Sequence, residues 1–162
     1  RFWFNRRITH YLSPAGLFRT SEAATYFQGS PYNPFASSAQ WTSLTPYLLG
    51  KHLHIRRSER CKPELRQPAL ERELCKQVRE ELENHDLPPP EQVEFLPQNE
   101  SCLGKERIPW DAFRRIKLKG REKNPGELGH GFRLSFDEPI SGPIAIGYAS
   151  HYGLGLFKPG SS

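Results

Sequence analysis

One long periodic segment, several short stretches of alternating apolar and polar residues, and a glycine-rich segment near the C-terminus predict an α+β domain. The periodic segment is residues 68–85. Leu70, Leu74, Val78 and Leu82 recur every four residues and form one apolar stripe, with charge on the opposite face. The clearest strand is residues 131–136, where Phe132, Leu134 and Phe136 alternate with Arg133 and Ser135. The glycine-rich segment, residues 147–157, holds three glycines, two tyrosines and one histidine.

Composition sets the bounds. The 162 residues suffice for one domain, or one domain with an extension. Apolar residues make up 36%, so the core is modest, and fifteen prolines break helices and favour extended segments. No run approaches the ~20 apolar residues of a membrane span, and no signal-peptide pattern opens the chain. Methionine is absent even at position 1, which predicts that the chain begins inside a longer polypeptide. The cysteines, Cys61, Cys75 and Cys102, are odd in number and too far apart for a Cys-x-x-Cys site. They indicate neither a disulfide framework nor zinc, and fit a reducing, cytoplasmic setting. No carboxylate–histidine spacing demands a metal, and no cofactor is implied. A net charge of +5 and a pI near 9.2 favour an anionic partner, nucleic acid first, then an acidic protein or membrane surface.

Residues 1–40 are rich in aromatics and turn formers without a helical period, and read as an irregular extension that packs onto something else. Arg6, Arg7 and His10 are RNA contacts or a solvated rim. The domain proper is expected over residues 41–162. Residues 44–49 are short, apolar and aromatic, as a buried strand is. Lys51, His52, His54, Arg56, Arg57 and Arg60 follow at once, as a phosphate-binding rim or an exposed loop.

Pro68 is placed to open the helix, its missing N–H costing nothing at the first position. Glu71 and Glu73 sit near the positive end of the dipole, and Pro88, Pro89 and Pro90 bar continuation beyond His85. Residues 91–97 alternate as a strand, with Val93 and Phe95 on one face and Glu94 on the other. Residues 99–107 read as loop. Residues 110–119 alternate again, and the run from Arg114 to Lys123 holds six bases and one acid. That is an RNA-facing strand with a basic loop, or a solvated edge strand protected by lysines. Glu138-Pro139 is expected to stop the strand at 131–136. Gly142-Pro143 is expected to start a short helical turn over 144–146, and residues 154–157 to form a closing strand. The order fits a ferredoxin-like (RNA-recognition-motif-like) βαββαβ domain with a reduced second helix and a C-terminal Gly-rich loop, whose sheet offers one open face to RNA.

Within residues 147–157, Gly147, Gly153 and Gly155 allow tight turns and close approach to a ligand. Exposed backbone N–H groups in such a loop suit a phosphate, and histidine, here His151, is the side-chain type suited to proton transfer near neutral pH. The same features also occur in a structural turn with a hydrogen-bonded histidine.

Residues 142–157, read Gly-Pro-Ile-Ala-Ile-Gly-Tyr-Ala-Ser-His-Tyr-Gly-Leu-Gly-Leu-Phe, resemble the C-terminal glycine-rich loop of CRISPR repeat-processing endoribonucleases. Gly147, five residues, then Gly153-x-Gly155 match that loop's spacing. The Ala-Ser-His-Tyr-Gly-Leu-Gly-Leu-Phe form is similar to the processing half of the fused backbone and processing subunit of type I-G (formerly I-U) systems. Residues 41–47 and the strand at 131–136 fit the same half, so the resemblance spans roughly residues 41–159. It implies a ferredoxin-like RNA-binding fold and metal-independent cleavage of precursor CRISPR RNA. It also implies retention of the product hairpin (the crRNA) in a surveillance complex with other effector subunits, with no membrane involvement. In many relatives the catalytic histidine lies in an N-terminal half; here His151 is the candidate. The expected RNA contacts are Gly147, Gly153, Gly155, Tyr152, Lys51, His52, Arg56, Arg114, Arg115, Lys117 and Lys119. His54 is an alternative to His52 as second proton-transfer group, Tyr148 an alternative to Tyr152 as a stacking ring, and His10 and His130 are weaker candidates. The competing reading is a non-catalytic subunit that holds the RNA hairpin within a CRISPR ribonucleoprotein, and a third is a structural domain that contacts only protein.

Overall fold

The structure is a computed structural model, and it describes residues 2–4, 8–10, 22, 25–30, 33–96, 100–103, 106–110, 113 and 128–160. The strands are β1 (Phe2–Phe4), β2 (Ile8–His10), β3 (Ser37–Ser43), β4 (Gln92–Leu96), β5 (Glu100–Leu103), β6 (Glu106–Pro109), β7 (Gly131–Ser141) and β8 (Phe157–Pro159). The helices are α1 (Arg57–Arg60) and α2 (Pro63–Asn84), and a 3₁₀ turn spans Ser150–Tyr152. The chain is α+β. Its main sheet has four antiparallel strands in the order β4-β7-β3-β8, and β1-β2 and β5-β6 form separate two-stranded pairs.

The register explains the core. Trp41 stands opposite Leu134, and Leu134 opposite Val93. In the next row Phe132 stands opposite Phe95, and Ser43 opposite Phe157. Alternation puts all of these on one face, and α2 covers it with Leu74, Val78 and Leu82. Trp41, Tyr47, Phe132, Leu134, Ile144, Ile146 and Phe157 are fully buried there. Two of the polar groups that reach this face are satisfied: the Trp41 indole N–H donates to the Ser38 carbonyl (2.8 Å), and the Phe132 N–H donates to the Ser43 hydroxyl (2.9 Å).

Several elements differ from expectation, each for a local reason. The helix begins at Pro63, five residues before Pro68, because Pro63 already fills the first helical position. Pro68 lies inside the helix on its exposed side. The apolar stripe itself stands as expected, with Leu70 partly covered. The helix ends at the expected place: Asp86 takes a left-handed φ of 56°, and the Leu87 N–H donates to the Leu82 carbonyl at 3.0 Å. The strand expected over 44–49 is instead β3, ending at Ser43. Pro46 has no N–H for a ladder, and residues 46–49 form a buried connection with one bridge, Tyr47 to His130. β3 also starts at Ser37, so the sheet extends four residues before position 41. Where residues 99–107 are expected as loop, β5 and β6 pair as antiparallel strands.

β7 runs past Glu138-Pro139 to Ser141. Its partner positions jump from Ser135 to Ile140 while β3 advances only from Gln40 to Ser38, so Pro139 lies in an irregularity where no ladder donor is required. Residues 144–146 are extended rather than helical, since Ala145 bridges Leu156. The helical turn occurs instead at Ser150–Tyr152. The closing strand is displaced to Phe157–Pro159. The basic run 114–123 lies outside the described residues.

Candidate functional site

The glycine-rich segment hangs on residues 44–48. The Leu44 and Thr45 N–H groups both donate to the Leu156 carbonyl, at 2.8 and 3.1 Å. The Gly155 N–H donates to the Pro46 carbonyl at 2.9 Å, and the Tyr148 N–H to the Leu48 carbonyl at 2.8 Å. Thr45 adds a side-chain clasp: its hydroxyl donates to the Gly153 carbonyl at 2.8 Å and accepts from the Leu156 N–H at 3.0 Å. Both ends of the turn carrying His151 are therefore fastened to one strip of chain, half-buried at residues 44–45 and buried at 46–48.

The glycines serve this packing first. Gly155 is buried with φ of 61°, and a Cβ there would strike the Ile146 carbonyl. A Cβ at Gly147 would lie 2.6 Å from the Tyr47 ring and 2.7 Å from the Leu48 carbonyl. Gly153, with φ of 83°, faces open space. The amides expected to meet a phosphate are largely engaged. Those of Tyr148, Ser150, Tyr152, Gly153, Leu154, Gly155 and Leu156 all donate within the protein. The segment is a rigid mount rather than an open cradle of N–H groups.

What it mounts is a cluster of exposed rings. His151 lies on the 3₁₀ turn, exposed, with its ring centroid 4.1 Å from that of Tyr152 and the planes 47° apart. Tyr152 is 60% exposed and Tyr148 45%. Ala149, between them, holds a left-handed φ of 65°.

The Tyr148–Leu48 hydrogen bond joins this turn to the start of the basic loop. Lys51, His52, His54, Arg56, Arg57 and Arg60 are all exposed. Lys51 reaches the Glu80 carboxylate at 3.4 Å. The His52 carbonyl accepts from the buried Gln77 amide at 3.2 Å, which ties the loop to α2 while leaving the imidazole outside. The Arg56 carbonyl caps α1 by accepting from the Glu59 and Arg60 N–H groups. Glu59 bonds Arg72 at 2.9 Å, and that bond holds its carboxyl below the usual range.

Gly147, His151, Tyr152, Gly153 and Gly155 thus lie on the segment fastened to residues 44–48, and Lys51, His52 and Arg56 follow that strip along the chain. Arg114, Arg115, Lys117 and Lys119 lie outside the described residues. His130 is buried and exchanges backbone hydrogen bonds with Tyr47 at 2.8 and 2.9 Å. His10 lies on β2, where only the backbone is described.

Two residues that matter here went unread in the sequence. Thr45 is the clasp, and a hydroxyl inside an apolar run was its only signal. Tyr47 is fully buried under Gly147, and its hydroxyl has no hydrogen-bond partner among the described residues. Burial, with the Glu81 and Glu80 charges, pushes this phenol well above its ordinary range. Among the described residues no group of His, Cys, Asp and Glu side chains is arranged to share a metal ion, and no helix is long and apolar enough to cross a membrane. Comparison of the chain with protein-family models, curated proteins and solved structures finds no match, so the reading of this site rests on its residues.

Proposed function

We propose that this protein is a metal-independent endoribonuclease that cleaves precursor CRISPR RNA at the repeat hairpin and stays bound to the product within a surveillance complex. The observation that carries the reading is the fastening of the exposed His151 turn to the head of the Lys51–Arg60 loop through the Tyr148–Leu48 hydrogen bond. That contact brings an exposed imidazole and a basic loop to the same strip of chain. Two further features support it. The strand order β4-β7-β3-β8, with α2 between β3 and β4, is compatible with a ferredoxin-like βαββαβ domain. The 3₁₀ turn Ser150–Tyr152 stands where the second helix of that plan falls.

The chemistry needs few parts. The ribose 2′-oxygen attacks the adjacent phosphorus, the bond from phosphorus to the 5′-oxygen breaks, and the products are a 2′,3′-cyclic phosphate and a 5′-hydroxyl. One group takes the 2′-hydroxyl proton and another gives a proton to the departing oxygen. His151 is assigned one of these roles and His52 or His54 the other. Lys51 and Arg56 offset the charge that builds on the phosphate.

A second reading is a subunit that holds the hairpin without cutting it. The engaged amides favour it, as does the His151 ring, which lies against Tyr152 with no orienting hydrogen bond seen among the described residues. Incubating the chain and its His151→Ala variant with a repeat hairpin in EDTA separates the two on a denaturing gel. The nuclease reading expects a cyclic-phosphate product from the wild type, and binding without cleavage from the variant. Binding without cleavage by both leaves the hairpin-holding subunit. Equal cleavage by both keeps the nuclease and removes His151 from it.

A further inference from the structure

The exposed aromatic residues of this molecule are unevenly placed. Among the described residues only Tyr26, Leu65, Tyr148 and Tyr152 are large, apolar-bodied and exposed, and two of these four lie within five residues on the His151 turn. The main sheet's outer face has no such exposed ring: Thr42, Glu94, Arg133 and Ser135 along its middle are polar, and the Trp110 ring that lies against its Leu96–Gly131 end is buried. A flat ring at a rigid, solvent-facing turn offers a π-face, and every nucleobase can stack on one. Lys51 follows Leu48 by three residues, so a cation stands within roughly 11 Å of chain from the point where the turn is fastened.

We propose that Tyr148 and Tyr152 form a stacking platform for unpaired nucleobases of RNA, with Lys51 and the loop behind it following the adjoining phosphates. This deepens the proposed function, on which its biological setting rests, by assigning base capture to the turn rather than to the sheet face. A duplex hides its base faces except at its ends, so the platform takes single-stranded RNA in preference to a blunt hairpin. Stacking is tolerant of sequence, whereas phosphate contacts weaken as salt rises. The two contributions are therefore separable in one titration. Ala149 contributes by geometry: its left-handed φ turns the chain between the two tyrosines.

The test is binding of an unstructured 12-nucleotide RNA carrying 2-aminopurine, read by fluorescence, for wild type, Tyr148→Ala/Tyr152→Ala and Tyr148→Phe/Tyr152→Phe. A blunt RNA hairpin serves as the second ligand, and circular dichroism reports folding. The expected result is an affinity loss of about ten-fold or more for the alanine pair on the single strand. The phenylalanine pair retains affinity, the slope of affinity against salt stays unchanged, and the blunt hairpin shows little effect. Unchanged affinity in the alanine pair overturns the platform, as does an equal loss on both RNAs. A platform that binds single strands while the wild type cuts no repeat hairpin leaves this inference standing and removes the nuclease.

Discussion

The two faces of the main sheet obey different rules. Toward α2 the rows read Trp41–Leu134–Val93 and Ser43–Phe132–Phe95, and every large side chain among them is wholly or partly buried. Away from α2 the rows Lys158–Thr42–Arg133–Glu94 and Gln40–Ser135–Gln92 are polar, and only the end row, Gly131–Leu96, is apolar, with the buried Trp110 ring against Gly131. The same four strands supply both faces, one residue out of step. The inner face is held by area removed from water and tolerates little. The outer face is free to vary along its polar rows, but not at Gly131, where a Cβ would strike the Trp110 ring. The turn and the basic loop proposed to meet RNA lie instead at the end of the sheet, next to residues 44–48.

The sharpest way to break this comparison is a pair of neighbours in β7. Phe132 is fully buried and meets Tyr47 and Phe95 edge-on, at 5.6 and 5.8 Å between centroids. Phe132→Ala is expected to cost about 3–5 kcal/mol. Arg133, one residue on, pairs with Glu94 at 2.8 Å, with both side chains nearly half exposed. Arg133→Ala is expected to cost no more than about 0.5 kcal/mol. Urea unfolding of the two variants measures the contrast, and comparable losses would mean that the outer face is covered by something.

The difference between the faces also marks what was legible from sequence. Period-four spacing located α2, and period-two alternation located β4 and the first half of β7, because each has one face against the core. The start of β3 is not legible because Ser37 to Gln40 carry little apolar signal and leave their mark only through pairing with β7. Gly142-Pro143 resembles a helix start and points to a helical turn near 144 rather than at 150–152. The chain instead keeps Ala145 extended opposite Leu156. The candidate site was half legible. Its histidine and glycines stood out by type, but residue types do not reveal which amides are already engaged, and Thr45 acts through partners 108 and 111 residues away.

A second contrast lies within the turn itself. Gly155 and Gly153 share a left-handed backbone, yet one is enclosed and the other open. Gly155→Ala adds a collision with the Ile146 carbonyl to the left-handed penalty, and about 2–4 kcal/mol of stability is expected to go. Gly153→Ala adds only the penalty, about 1 kcal/mol. If the turn is a mount for His151, Gly153→Ala keeps RNA binding near the wild-type level after correction for folded fraction. Thermal melts with binding titrations check both. Equal losses in stability would place Gly153 in a packed setting too.

The smallest effect tests the buried side where it is weakest. The Tyr47 hydroxyl is enclosed without a partner among the described residues, so Tyr47→Phe is expected to leave stability at pH 7 unchanged or higher by up to about 1 kcal/mol. The two proteins separate as the solution becomes alkaline. The folded phenol is held above its ordinary value, and the unfolded one ionises near pH 10. Its contribution is therefore fully present below about pH 10, and is lost as pH rises toward the folded value, because only the unfolded chain releases the proton. Urea midpoints at pH 7, 9 and 11 should run level for the two proteins at first, and then fall faster for the wild type. A Tyr47→Phe variant that is weaker already at pH 7 would show that the hydroxyl holds a hydrogen bond. In that case the strip under Gly147 is as tightly specified as the rows around Phe132.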